Sequence, residues 1–334
     1  MPPAPNDLLT HLLRDVSRSF YLTMRVLPAS IRPQISLAYL LARATDTIAD
    51  TEIVPVAERR AALDLLRARI LGNSQEPLNF GALAGRQGSI AEQVLLERCE
   101  EALAVLSGFP MVDQQRIRDV LQIITSGQEL DMTRFAGASE RNIVALNTDD
   151  ELDDYTYRVA GCVGEFWTKI CRARVFPDAP LDDAALLAQG VRFGKGLQLV
   201  NILRDLPKDL RQGRCYLSAE RLRGAGLVAA DLLEPANAAK FQPVYDHFLT
   251  LAQTHLTAGW AYTNALPRRS ARVRLACAWP ILLGAETLNK LRVANVLDPR
   301  QRIKISRAEF RRIIARSLIY YVWPPAWANL LPKR

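Results

Sequence analysis

Histidine is nearly missing from this chain of 334 residues: His11, His247 and His255 stand apart, none within a motif that would make it a base or a metal ligand. Cysteine is scarce as well. Cys99, Cys162, Cys171, Cys215 and Cys277 are odd in number and form no CxxC pair, which argues against both a disulfide framework and a zinc site and fits a reducing, cytoplasmic setting. No uncharged apolar window of about 18 residues occurs, so no segment reads as a transmembrane helix. The opening "MPPAPNDLLTHLLRD" turns polar too early for a secretory leader. Ser17 and Ser19 lack the histidine and aspartate context of a hydrolytic triad. Alternating strand-like runs are few, and no repeat with a period of roughly 20–50 residues is present.

What the chain does have is apolar residues at helical spacing almost throughout. With 49% hydrophobic residues it can bury a large core, and the periodicity predicts an all-α protein. Helices are expected near 6–26, 33–52, 56–71, 90–107, 113–135, 151–174, 182–211, 217–223, 240–265, 270–293 and 307–322. Breakers such as "FPDAP" and "LPRRS" separate them, and none resembles an interdomain linker, so a single helical domain over 1–334 is expected. Its end, at about 317–334, is an apolar and aromatic tail broken by Pro324 and Pro325, open to two readings: peripheral contact with a membrane, or packing on the body. Lys and Arg number 43 against 35 Asp and Glu, a balance of +8 that suits anionic partners. The basic residues are scattered among acids without an aromatic-lined stripe, which speaks against nucleic acid.

Two acidic patches interrupt the apolar helices. In "YLLARATDTIAD", Asp46 and Asp50 are four residues apart and share a face with Arg43. Like charges at that spacing repel, so something must offset them. In "GLQLVNILRDLPKDLRQGR", Asn201, Arg204, Asp205, Lys208 and Asp209 again line one face, and Pro207 threatens to kink the helix between the two acids. Carboxylates and an Asn oxygen suit Mg²⁺ (or Mn²⁺), a hard cation that bridges a few carboxylates to substrate phosphates. Arginines beside them suit the phosphates themselves.

At these residues the sequence resembles the squalene and phytoene synthase family. The resemblance rests on "SRSF" at Ser17 to Phe20; on Tyr39, Arg43, Asp46 and Asp50; on "YTYRVAGCVG" from Tyr155; and on Asn201, Arg204, Asp205 and Asp209 followed by Gly213 and Arg214. It departs from many squalene-forming members at Ala49 and Lys208, where those carry an acid, and "CYLS" after Arg214 is closer to bacterial carotenoid-type members.

The resemblance implies an isoprenoid synthase fold, with a central cavity between two Asp-bearing helices, and head-to-head joining of two prenyl diphosphates. It implies farnesyl diphosphate as substrate. Asp46, Asp50, Asn201, Asp205 and Asp209 would hold Mg²⁺, and Ser17, Arg18, Arg43, Arg204 and Arg214 would hold diphosphate. Tyr155, Tyr39 and Arg204 would serve catalysis. "CAWPILLGAETL" and "RIKISRAEF" look like the squalene-forming members, which implies NADPH at Lys304 and Arg307; formation of phytoene, dehydrosqualene or presqualene diphosphate is the alternative. Gly161 and Gly164 resemble a small-residue break beside the cavity, and close helix packing explains them equally.

Overall fold

A computed structural model describes residues 8–17, 20–51, 53–298 and 300–331. The fold is all-α, as the periodicity predicts. Along the chain run α1 (Leu13–Ser17), α2 (Tyr21–Val26), α3 (Arg32–Asp50), α4 (Val56–Leu71), α5 (Gly81–Ala84), α6 (Ile90–Glu97), α7 (Cys99–Ser107) and α8 (Met111–Arg134). Then come β1 (Val144–Leu146), α9 (Asp149–Thr156), α10 (Cys162–Arg174), α11 (Asp183–Arg211), β2 (Arg214–Ser218) and α12 (Ala219–Gly224). The chain closes with α13 (Ala238–Ala265), α14 (Ala271–Val293), α15 (Arg307–Tyr321) and α16 (Pro324–Ala328). It groups into two compact units, Met1–Thr133 with Phe166–Pro177, and Arg134–Glu165 with Asp178–Arg334.

In the first unit α3 is the central element. Leu37, Leu40, Leu41, Ala44 and Ile48 are fully or almost fully buried, against α4, α6 and α7. A buried acid fastens this unit: Asp113 of α8 has no exposed surface and accepts from Gln34 of α3 (3.1 Å), Arg116 (3.0 Å) and Arg174. Three cationic or amide donors offset the cost of burying one carboxylate and hold it below its usual range.

In the second unit α11 packs along α13 and against α14. Pro207 does not break it; the helix runs unbroken from Asp183 to Arg211. Proline removes the N–H that would pair with the Leu203 carbonyl, and the Tyr245 hydroxyl of α13 donates to that same oxygen at 3.0 Å. The expected helix near 217–223 begins later, at Ala219, because residues 214–218 pair in parallel with β1. The expected 151–174 helix is interrupted by a wider π-type turn over Tyr157–Gly161, and the expected 90–107 helix divides at Arg98.

Part of the tail packs on the body and part is exposed. Trp327 is buried, whereas Leu318, Ile319, Val322 and Trp323 are exposed. The start of α15 carries a capping box: Ser306 Oγ accepts from Glu309 N–H (3.2 Å), and the Glu309 carboxylate accepts from Ser306 N–H (2.8 Å) and Lys290 Nζ (2.8 Å). The Lys290 contact and the cap lower the Glu309 pKa to about 2. A depressed carboxylate stabilises the fold above its unfolded pKa, near 4.5, and loses that contribution as pH falls toward 2. Hydrogen exchange in α15 will therefore quicken, relative to the intrinsic rate, below pH about 4.5, and Glu309→Gln will abolish that change.

Candidate active site

On α3 the helical period puts Tyr39, Arg43, Asp46 and Asp50 within three turns. Arg43 holds two carboxylates: Nη1 donates to Asp46 at 2.6 Å and Nη2 to Glu92 of α6 at 2.5 Å. Its Nε is buried without a hydrogen-bond partner among the described residues. Burial works against the Arg43 charge, and Asp46 and Glu92 outweigh it, so its pKa rises. At Asp46 the charged form is the disfavoured one. Burial and the neighbouring Asp50 push it up to about 7, and the Arg43 contact offsets only part of this. Its side chain nevertheless stays 41% accessible. Protein surrounds the carboxylate on most sides, yet a small solute can reach it.

The C-terminal end of α3 is fixed by Arg59, 7% exposed, whose Nη1 donates to the Ala49 carbonyl at 2.5 Å. A cation there complements the negative end of the helix. Tyr39 stacks on Phe20 with centroids 5.5 Å apart. Ser17 is 4% exposed, and its Oγ has no partner among the described residues. Arg18 lies outside the described residues.

In the second unit, α11 presents Asn201, Arg204, Asp205 and Asp209. Arg204 folds back on its neighbour: Nε and Nη2 donate to the two Asp205 oxygens at 2.9 and 2.6 Å, and that hydrogen bond raises its pKa. Asn201 is exposed, and Asp205 keeps 42% of its side chain accessible. Gly213 then turns the chain with φ +81°, where a side chain would be strained and a Cβ would lie 2.1 Å from Ser139 N. This turn delivers Arg214 to the first position of β2. Tyr155, 7% exposed, stacks on Tyr216 at 4.7 Å, and Phe135 meets Tyr216 edge-on at 5.2 Å. Lys304 and Arg307 are exposed before and at the start of α15, where the Lys304 carbonyl accepts from Lys290 at 2.9 Å.

Each aspartate motif therefore holds one acid against its own arginine. Among the described residues no three His, Cys, Asp or Glu side chains converge to hold a metal ion by themselves. The donors still fit Mg²⁺. All are oxygens, Mg²⁺ needs only one or two carboxylates when phosphates and water complete its shell, and burial together with Asp50 disfavours the Asp46 charge, which a divalent cation would balance. The exposed cationic ends of Lys304 and Arg307 fit a nucleotide phosphate in the same elementary sense.

Sequence reasoning missed Glu92, Arg59 and Tyr216. Glu92 sits 49 residues from Arg43, so no local spacing signals the pair. Tyr216 lies inside the quoted "CYLS", and only the ring stack on Tyr155 distinguishes it. Glu92→Gln removes one of the two carboxylates that orient Arg43. It should weaken Mn²⁺ binding, measured by paramagnetic resonance, by about tenfold, with melting temperature little changed.

The chain matches the family described as squalene/phytoene synthase over residues 13–309. It is 27% identical to a squalene synthase of Schizosaccharomyces pombe over 92% of this chain and 64% of that protein. It is 26% identical to a presqualene diphosphate synthase of Sinorhizobium fredii, over 92% of this chain and 95% of that one. In structure it resembles TcSQS bound to BPH1237, with TM-score 0.79 and 21% identity over 98% of this chain and 89% of that one. The chain spans 32% and 64% of the length of the first curated relatives it matches.

Proposed function

The chain belongs to the squalene/phytoene synthase family of head-to-head prenyltransferases, and on that premise we propose that it is a squalene synthase. Two farnesyl diphosphates condense to presqualene diphosphate with loss of one diphosphate. Loss of the second and hydride from NADPH then give squalene. The observation that carries the reading is the repeated arrangement on α3 and α11: an aspartate pair four residues apart, with one acid held by the motif's own arginine.

Asp46, Asp50, Asn201, Asp205 and Asp209 would hold the magnesium that family members typically require. When bound, the metal supplies Lewis-acid charge to diphosphate oxygens. Arg43 and Arg204 exchange their carboxylates for phosphate oxygens, and Ser17, Arg18 and Arg214 would add donors for diphosphate. Breaking the allylic C–O bond leaves a carbocation that has to be kept from water. Tyr155, its ring face supported by Tyr216, stabilises that cation or passes the proton lost from C1 to the released diphosphate, with Tyr39 as the second tyrosine. Lys304 and Arg307 would hold the phosphates of NADPH, which supplies the hydride.

Support for the reduction step comes from the "RIKISRAEF" segment and the squalene synthase of Schizosaccharomyces pombe. A second reading, release of presqualene diphosphate without reduction, is favoured by the Sinorhizobium fredii relative, matched over 95% of its length. Incubation with farnesyl diphosphate and Mg²⁺, with and without NADPH, followed by product extraction, decides between them. Squalene that forms only with NADPH supports the proposal. Presqualene diphosphate accumulating equally in both incubations would replace it with the second reading.

A further inference from the structure

At the end of α15 the exposed apolar side chains gather: Leu318, Ile319, Val322 and Trp323 are 49%, 65%, 80% and 64% exposed. Their exposure is enforced by the opposite face of the tail. There Trp279 Nε1 donates to Ser317 Oγ at 2.9 Å, and the Tyr321 hydroxyl donates to the Arg268 carbonyl at 2.5 Å. Trp327 Nε1 donates to Asn264 Oδ1 at 2.8 Å, and Trp260 Nε1 donates to the Ala328 carbonyl at 3.2 Å. Trp327 stacks on Trp260, with the Arg274 guanidinium 5.4 Å from the Trp327 ring centre. Rolling the tail inward would break these bonds and expose Trp327, so the four apolar residues are held outward.

The same arc is basic one to three turns earlier. By the helical repeat, Arg312, Arg316 and Ile319 form one stripe and Arg311, Ala315 and Leu318 the stripe beside it, with Val322 and Trp323 just past the helix end, all exposed. Each stripe begins on arginine and ends on apolar surface. Among the described residues Arg312 has a loose carboxylate partner, Glu286, at 3.9 Å. The acid of α15, Glu309, is committed to Lys290 and the cap.

We infer that this face docks the protein on an anionic lipid bilayer: Leu318, Ile319, Val322 and Trp323 enter the boundary between headgroups and acyl chains, and Arg311, Arg312 and Arg316 meet lipid phosphates. Apolar side chains with an interfacial tryptophan, flanked by one sign of charge, match that boundary in both polarity and charge. A second copy of the chain fits worse, since the same patch on a partner offers the three arginines no free acid to pair with. No helix among the described residues is long and apolar enough to cross a membrane, so the contact is a surface one. The inference stands on this surface alone and not on the reaction proposed above.

The test is co-sedimentation of the full chain with phosphatidylcholine vesicles, with and without phosphatidylglycerol. Anionic vesicles should bind it at least about tenfold better than neutral ones, with the advantage shrinking as salt rises. Ile319→Asp with Val322→Asp should cut binding about tenfold, and Arg311, Arg312 and Arg316 all changed to Gln should erase the preference for anionic lipid. Both variants should keep the parent melting temperature and turnover in detergent micelles. Equal binding to both vesicle types, or binding indifferent to both variants, overturns the inference. So does a concentration-dependent dimer that the two aspartates disperse while vesicles bind nothing, which would make a second copy the occupant.

Discussion

Asp205→Asn will lower kcat/KM for farnesyl diphosphate by about 10²–10³ while leaving the protein folded. Asparagine keeps the shape and one oxygen but removes the charge that a divalent cation requires and that Arg204 grips through both carboxylate oxygens. Asp205 is 42% exposed, so its loss leaves no buried cavity and melting temperature should move little. Asp46→Asn should cost as much activity and yet raise the melting temperature in EDTA. Asp46 is pushed to about 7 by burial and Asp50, and the amide removes a charge that the metal-free fold tolerates poorly. A stability gain coupled to an activity loss marks a group kept for chemistry. Calorimetry in EDTA beside steady-state kinetics reads both. Wild-type turnover in either variant would remove these acids from the mechanism.

Gly164→Ala should be the most damaging single substitution for the fold. A Cβ at Gly164 would lie 1.9 Å from the Gly190 carbonyl oxygen of α11, a contact no rotamer change relieves because both atoms belong to backbone. Nearby, a Cβ at Gly194 would lie 2.1 Å from the Ala160 carbonyl. These glycines let the segment from the π-type turn through the start of α10 lie against α11, and that contact sets Tyr155 and the α11 aspartates within one unit. Forcing the helices apart costs about 3 kcal/mol or more, roughly 5–10 °C in melting temperature. Activity should fall with it. Gly224→Ala, where an added Cβ meets nothing within 4 Å, is the matched control.

What the sequence made legible was whatever repeats locally. The aspartate pairs could be seen because a 3.6-residue period puts positions four apart on one face. Of the alternatives left for Gly161 and Gly164, close helix packing is seen at Gly164, where an added Cβ would meet a backbone oxygen of α11, and a π-type turn ends at Gly161. What stayed hidden depends on partners distant in the chain. The helix continues through Pro207, and the Tyr245 hydroxyl that satisfies the orphaned Leu203 carbonyl comes from 42 residues beyond it. Residues 214–218 are extended because β1 pairs with them, each partner 70 or more residues earlier. Glu92 carries no mark in its own segment, yet it helps decide where Arg43 points. Arg43 and Arg204 themselves, read from sequence as phosphate clamps, are held by carboxylates in this structure.

The central claim is that acids on α3 and α11 hold magnesium to expel diphosphate from a prenyl diphosphate. Diphosphate release from farnesyl diphosphate, followed while Mg²⁺ is titrated into EDTA-stripped protein, tests it most directly. The account predicts no release above background in EDTA and a saturable recovery with added Mg²⁺. Release at the full rate in EDTA would contradict it.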